Sequence, residues 1–431
     1  MPHSEISTNR GNSAVQRLAR RQYTPEDLSK LTSLLDELGT LTLSPKNNGL
    51  YAASSSQKED ADSGYQRVWV RDNIMVANYQ RERGRSDLAA KTLRALASFF
   101  HLYRKRFIHV IEDPDVAKDP TRRPHIRFDG DTLRELDRTW PHDQNDALGY
   151  AMWLTFLMAN TGQYVLDEID AAAYGLFPGY LNAIQYWNSP DSGHWEEDRR
   201  VNNSSVGVVL RALEEFRRYI ENAKHQLFER MCAPVDVKAL DSLISNGRAA
   251  LRSLPNECTP IRGADAATLF LIYPVDVADR QQADAIIDLV VSELLGDYGI
   301  RRYTGDSYWC QDYDVLLSAE LRTIDDSTRI EARNKLLSPR CEAQWCIFDP
   351  ILSVIYGRRF QKRRSREDLA NQVLYFNRSL SHITPEGKCP ELYYLRTDVG
   401  VYVPNVHTPL AWSQANLGVA LHYMKLSLSI C

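Results

Sequence analysis

Trp69-Val70-Arg71-Asp72-Asn73-Ile74-Met75-Val76-Ala77 sets a tryptophan, an arginine and an aspartate at the entry to an apolar helical run. Five further polar or aromatic clusters stand at such entries. Trp140 to Asp146, Trp195-Glu196-Glu197, Arg301-Arg302-Tyr303, Gln344-Trp345 and Pro390-Glu391 each stand directly before, or at the start of, an apolar run of helical spacing. If alternate helices form an inner ring, the loops entering that ring gather all six clusters at one mouth. Function-bearing loops on a rigid scaffold are the usual arrangement. The stretch and its five echoes therefore predict an all-α protein closed into a helical toroid.

Outward from these clusters, helical periodicity returns along most of the chain. It predicts helices near 73–83, 86–104, 147–160, 167–187, 204–222, 236–253, 280–295, 312–323, 328–338, 344–356, 366–380 and 409–428. Residues 107–111 and 401–405 read as short strands or extended loops. Thr24-Pro25-Glu26 sets an N-cap with proline at the first helical position, and Leu28, Leu31, Leu34, Leu35 and Leu38 follow at helical spacing. Residues 1–22 read as a flexible polar tail and 44–66 as loop. No low-complexity linker divides the chain, so 23–431 is expected to be one domain. The absence of a visible short repeat argues against a solenoid.

Composition narrows the function. With 43% hydrophobic residues, 25% charged residues and a net charge of −4, the chain gives no reason to expect nucleic acid as a partner. Seven scattered cysteines form no CxxC pair and no zinc spacing, which points to reduced thiols. The N-terminus lacks the apolar run of a signal peptide, and no stretch approaches the ~20 apolar residues of a membrane span. The expectation is a cytoplasmic protein with no membrane partner.

Taken singly, the polar clusters have bland readings. Glu196 could sit in a solvated acidic loop before a helix capped by Asn203 or Ser204. Arg71 and Asp72 could form a salt bridge with Asp72 capping the next helix, and Glu391 could end a surface turn. Together they have a chemical logic. Hydrolysis of a glycosidic bond needs one carboxylic acid to protonate the leaving oxygen. Inversion needs a second carboxylate, roughly 6.5–9.5 Å away, to activate water on the opposite face. Adjacent glutamates at 196 and 197 are expected to raise one another's pKa, keeping an acid protonated near neutral pH.

The chain resembles glycoside hydrolase family 15, the glucoamylases and their relatives, including the N-terminal domains of the phosphorylase kinase α and β subunits. The likeness runs from Gly49-Leu50-Tyr51-Ala52-Ala53-Ser54 to the last helix. It is carried by Trp69-Val70-Arg71-Asp72-Asn73, Asn203-Ser204-Ser205-Val206-Gly207, Glu342-Ala343-Gln344-Trp345, Pro390-Glu391-Leu392-Tyr393-Tyr394 and Leu410-Ala411-Trp412-Ser413-Gln414-Ala415. The resemblance implies an (α/α)6 toroid and an inverting, exo-acting α-glucoside hydrolase that releases β-glucose from the non-reducing end of an α-glucoside or α-glucan, with no cofactor and no metal. It maps the general acid onto Glu196 and the general base onto Glu391. Substrate contacts map onto Arg71, Asp72, Trp69, Trp140, Asp146, Trp195, Glu197, Arg302 and Trp345. Asn145 stands where fungal glucoamylases carry an arginine, and the paired Arg301 and Arg302 leave that contact open by one residue. A non-catalytic carbohydrate-sensing protein, like the kinase subunits, is the alternative.

Overall fold

The structure is a computed structural model that describes residues 11–56, 64–136, 140–224, 228, 236–253, 262–317, 333–338 and 340–430. Five helices are buried nearly all round: Val70–Glu82, Asn145–Asn160, Asn203–Tyr219, Phe348–Arg363 and Ala411–Leu428. Every residue from Val70 to Gln80 is buried, as expected of a helix enclosed by other helices. A second set buries one stripe only. Ser86–Leu102 turns Ala89, Thr92, Leu93, Leu96, Phe99 and Phe100 inward, and Val237–Ser253 turns in Leu240, Leu243, Ile244 and Gly247.

The buried helices make a ring. Val70–Glu82 packs on Asn145–Asn160, which packs on Asn203–Tyr219. The next place is taken by a 3₁₀ segment, Ala266–Leu271, capped by Asp265. Phe348–Arg363 and Ala411–Leu428 follow, and the last packs back on Val70–Glu82. Outside them lie Pro25–Glu37, Ser86–Leu102, the broken pair Glu168–Tyr174 and Phe177–Ala183, Val237–Ser253, Arg280–Glu293 and Arg366–Ser381. Outer and inner elements alternate along the chain, which makes this an (α/α)6 toroid. Between the last outer and last inner helices, Leu392–Arg396 pairs antiparallel with both Gln344–Trp345 and Val401–Pro404, Trp345 opposite Leu392.

Several local expectations are corrected. Residues 107–111 lie inside the Arg104–Glu112 helix, because Phe107 and Val110 bury at a spacing of three and Phe107 stacks on Phe177. The helix expected at 344–356 starts at Phe348, since Gln344 and Trp345 are strand. The run at 167–187 breaks at Gly175-Leu176 ahead of Pro178. Asn202, not Asn203 or Ser204, holds the N-cap position of its helix. Of the run at 312–323 Tyr313–Leu316 is helix and 318–323 lie outside the described residues, as do 328–332 of the run at 328–338. Residues 1–10 also lie outside them. From Gly11 onward the supposed tail is docked: Ser13–Leu18 is a helix with Val15 buried, and Asn12 Nδ2 donates to the carbonyl of Pro385 at 2.9 Å. The Thr24 N-cap stands as expected, in a reciprocal pair with Asp27. Among the described residues no helix is long and apolar enough to cross a membrane.

Candidate active site

The inner helices enter the ring from one end, and a cleft opens there. Trp69, Arg71, Asp72, Trp140, Trp195, Glu196, Glu197, Arg302, Trp345 and Glu391 all line it. Asp146 does not. It is fully buried behind the wall, where its Oδ2 accepts from Arg71 Nε at 2.7 Å. The contact expected of Asp146 thus becomes support for Arg71. Arg302 faces the cavity, whereas Arg301 turns away toward Glu342 and the carbonyl of Leu295. Asn145 is buried, with its N–H given to Asp191 at 2.9 Å.

Glu196 is placed by a short loop. Asp191 and Arg200 form an antiparallel bridge, and Asn202 Nδ2 ties its base to Asp191 Oδ1 at 2.7 Å. Within the loop Gly193 and Glu196 have φ of 59° and 60°. Left-handed backbone suits glycine and strains glutamate, and such strain collects at working sites. Glu196 Oε1 accepts from Arg71 Nη1 at 3.1 Å. Burial raises the Glu196 carboxyl to about 7, against the pull of Arg71. Arg71 Nη2 donates to Gln144 Oε1 at 2.7 Å and to the carbonyl of Gly193 at 3.1 Å.

Glu197 behaves in the opposite way. Burial opposes its charge, but Arg302, Arg333 and Arg262 hold it well below the usual carboxylate range. Arg302 and Arg333 reach Oε1 at 2.8 and 2.6 Å, while Arg262 and the Tyr303 hydroxyl reach Oε2 at 2.6 and 2.5 Å. The expected mutual raising of Glu196 and Glu197 therefore fails: the neighbours are separated electrically by three guanidiniums, and Glu196 is raised by burial. Arg302 is further packed among Tyr308, Trp195 and Trp345, its Cζ 4.8, 5.1 and 5.2 Å from their ring centres.

Glu391 follows the outermost pairing of the small sheet, where Cys346 N donates to its carbonyl at 2.9 Å. Tyr65 OH donates to its Oε1 at 2.7 Å and Asn405 Nδ2 to its Oε2 at 2.6 Å. Burial raises its carboxyl, countered by His407 and these hydrogen bonds. Asp72 takes no side-chain hydrogen bond among the described residues, and burial lifts it to about 7. Arg71 pairs with Asp146 and Glu196, so the simple Arg71–Asp72 bridge is not formed, and Asp72 sits in the first turn without capping it.

Tyr65, Asn405, His407, Tyr308, Arg262 and Arg333 were not read from the sequence as site residues. Tyr65 stacks on His407 with ring centres 3.6 Å apart, and its hydroxyl lies 2.8 Å from that of Tyr308. Tyr65 and Glu391 are 326 positions apart, and no local pattern links them. Among the described residues no group of three or more His, Cys, Asp or Glu is placed to hold a metal ion.

Comparison with known proteins supplies the family. The chain is 29% identical over 198 residues to an uncharacterized lipoprotein, YgeQ, of Escherichia coli K12, covering 41% of this chain and 75% of that protein. It is 30% identical over 297 residues to a probable phosphorylase b kinase regulatory subunit alpha of Caenorhabditis elegans, covering 62% of this chain but 23% of the subunit. Among solved structures, a glycosidase variant in complex with glucose superposes with a TM-score of 0.68 at 17% identity, covering 94% of this chain and all of that one. The glucoamylase of Saccharomycopsis fibuligera does so with a TM-score of 0.61 at 13% identity, each chain covered in full. These two likenesses share the toroid. The profile of glycosyl hydrolases family 15 matches residues 29–308, more than half of the chain; Glu391 and Trp345 lie beyond the match, but Arg71, Asp72, Trp140, Glu196, Glu197 and Arg302 lie within it, and the chain belongs to glycosyl hydrolases family 15.

Proposed function

We propose that the protein is an inverting, exo-acting α-glucoside hydrolase of glucoamylase type, with Glu196 as general acid and Glu391 as general base. The observation that carries the reading is that two carboxyls on one cavity meet opposite demands. Glu196, at about 7, keeps its proton near neutral pH. One of its oxygens is held by Arg71, and the other has no hydrogen-bond partner among the described residues. Its proton goes to the leaving glycosidic oxygen as the C1–O bond breaks. Glu391 receives two hydrogen bonds that favour its anion, while burial makes that anion a stronger base. It takes a proton from water as the water oxygen bonds to C1. Asp72, free of side-chain partners, is the group to accept sugar hydroxyls, and Trp69, Trp140 and Trp195 offer faces to the ring C–H bonds.

The stereochemistry of the product tests this. Water delivered from the face opposite the leaving group gives β-glucose first. Proton NMR of the anomeric region, recorded within minutes of mixing with a panel of α-glucosides, reads the anomer before mutarotation. A first product of α-glucose means retention and overturns the mechanism. One observation favours a sugar-sensing role as the second reading: Arg71 already spends four N–H groups inside the protein. Sugar binding without glucose release across the panel would select it.

A further inference from the structure

Residues 358–366, Arg-Arg-Phe-Gln-Lys-Arg-Arg-Ser-Arg, put six cations into nine positions of a chain whose net charge is −4. They end the inner helix Phe348–Arg363 and lead into Arg366–Ser381, at the end of the ring opposite the cleft. Arg358 and Arg359 are paired with Asp276 and Asp284 at 3.0 and 2.7 Å. Lys362, Arg363, Arg364 and Arg366 are exposed and have no carboxylate within 4.0 Å among the described residues.

The surplus continues across the neighbouring helix ends. Ala411–Leu428 packs beside Phe348–Arg363 on one side and Val70–Glu82 on the other. Its last turn carries exposed Lys425, and the turn after Val70–Glu82 carries exposed Arg83, both also without a carboxylate partner among the described residues. Burial first, and then the charge of Arg83, lowers the Lys425 ammonium, with Asp36 opposing them, so cations from adjacent helices lie close together here. Cations at helix C-termini complement the macrodipole, and one or two would do so. Two features go beyond that. Arg364 occupies a left-handed C-cap at φ 57°, a place that ordinarily falls to glycine. Further round the same end, Arg217 is paired with Asp241 and Glu221 and Arg218 with Glu215, so these two cations do not add to the unpaired charge.

Apolar groups stand among these cations. Leu426 and Ile430 are exposed by 37% and 38%, and Arg364 Nη1 donates to the carbonyl of Ile430 at 3.3 Å. We propose that this face, formed by the C-terminal ends of three adjacent inner helices, docks on an anionic lipid surface. Its cations meet the headgroups, and Leu426 and Ile430 enter the interface. Basic clusters with interspersed apolar groups bind such surfaces by the sum of the two terms. That no helix among the described residues is long and apolar enough to cross a membrane does not bear on a surface contact. Docked in this way, the protein keeps the cleft at its opposite end open to water.

Co-sedimentation of the full chain with phosphatidylcholine vesicles, with and without phosphatidylglycerol, tests the proposal. Binding is expected only to the anionic vesicles and should weaken between ~0.15 M and ~1 M salt, as the screening length falls from about 8 to about 3 Å. Lys362→Glu, Arg363→Glu and Arg364→Glu together should weaken it about 100-fold or more. Leu426→Ser with Ile430→Ser should weaken it at high salt, where the apolar term remains. Far-UV circular dichroism checks that each variant folds, and Arg363→Gln alone serves if the triple variant does not. Equal binding to neutral vesicles, no vesicle binding, or tighter binding to polyglutamate or duplex DNA would overturn the assignment to lipid.

Discussion

At the scale of single residues, one cavity gives three carboxyls three different characters. Burial acts on all of them, and the partners decide. Glu197, met by three guanidiniums, is held well below the usual carboxylate range. Glu196, met by one guanidinium already shared with Asp146, rises to about 7. Glu391, met by neutral donors, is raised by burial. A bell-shaped pH profile of kcat/KM follows. The acid must be protonated, so the rate should fall as pH rises through about 7. The base must be ionised, so the rate should fall again on the acid side, at a pH above the usual glutamate value. Glu391→Gln should bind sugar but lose about 10²–10⁴ in kcat. Glu196→Gln should lose a similar factor on glucosides with poor leaving groups and much less on an activated aryl glucoside, which needs little protonation. Residual activity of Glu391→Gln above about a tenth of wild type would show that the base lies elsewhere.

At the scale of elements, the Asp191–Arg200 loop shows how a few bonds aim a side chain. Gly193 lies in left-handed backbone, and a Cβ there would meet Asn202 Nδ2 at 2.5 Å. The carbonyl of Gly193 also accepts from Arg71. Gly193→Ala should therefore push Asn202 off Asp191, shift Arg71 and swing Glu196. A displacement of about 1 Å at a reacting group costs on the order of 10²-fold, so kcat/KM should fall by about that factor while circular dichroism stays native. Activity within twofold of wild type would mean that the loop does not set the acid. Such loops were partly legible beforehand. Clusters at helix entries could be read because capping and entry chemistry are local, as Thr24 with Asp27 illustrates. The Phe-Ile-His-Val-Ile run at 107–111 misled because β-branched and aromatic residues favour strands, whereas its burial against Phe177 follows a spacing of three. The donors that tune Glu391 were invisible because Tyr65 and Asn405 come from other segments, neither marked by a pattern of its own.

At the scale of the whole molecule, the ring has to close, and closure joins the two ends of the fold around the site. The fourth inner place left its mark on the sequence as a gap in helical periodicity between 253 and 280, filled by a 3₁₀ segment. The closing seam left none. There, Ala411 N donates to the carbonyl of Ala53 at 2.8 Å, Ser54 bridges Leu410, and Val70–Glu82 lies against Ala411–Leu428. The contact is close because Gly418 lets Tyr79 lie across it: a Cβ at 418 would sit 2.2 Å from Tyr79 Cε2. Tyr79 is fully buried and has nowhere to retreat. Gly418→Val should part the two helices and cost about 1–3 kcal/mol, the range for forcing extra atoms into a packed core. Ala53, Leu410 and Trp412 line the cleft from the two sides of this seam, so sugar affinity should fall together with stability. Chemical denaturation and a sugar titration on the same variant check both, and Tyr79→Ala in that background should restore part of each. A Gly418→Val protein with wild-type denaturation midpoint and wild-type affinity would show that the seam does not hold the ring closed.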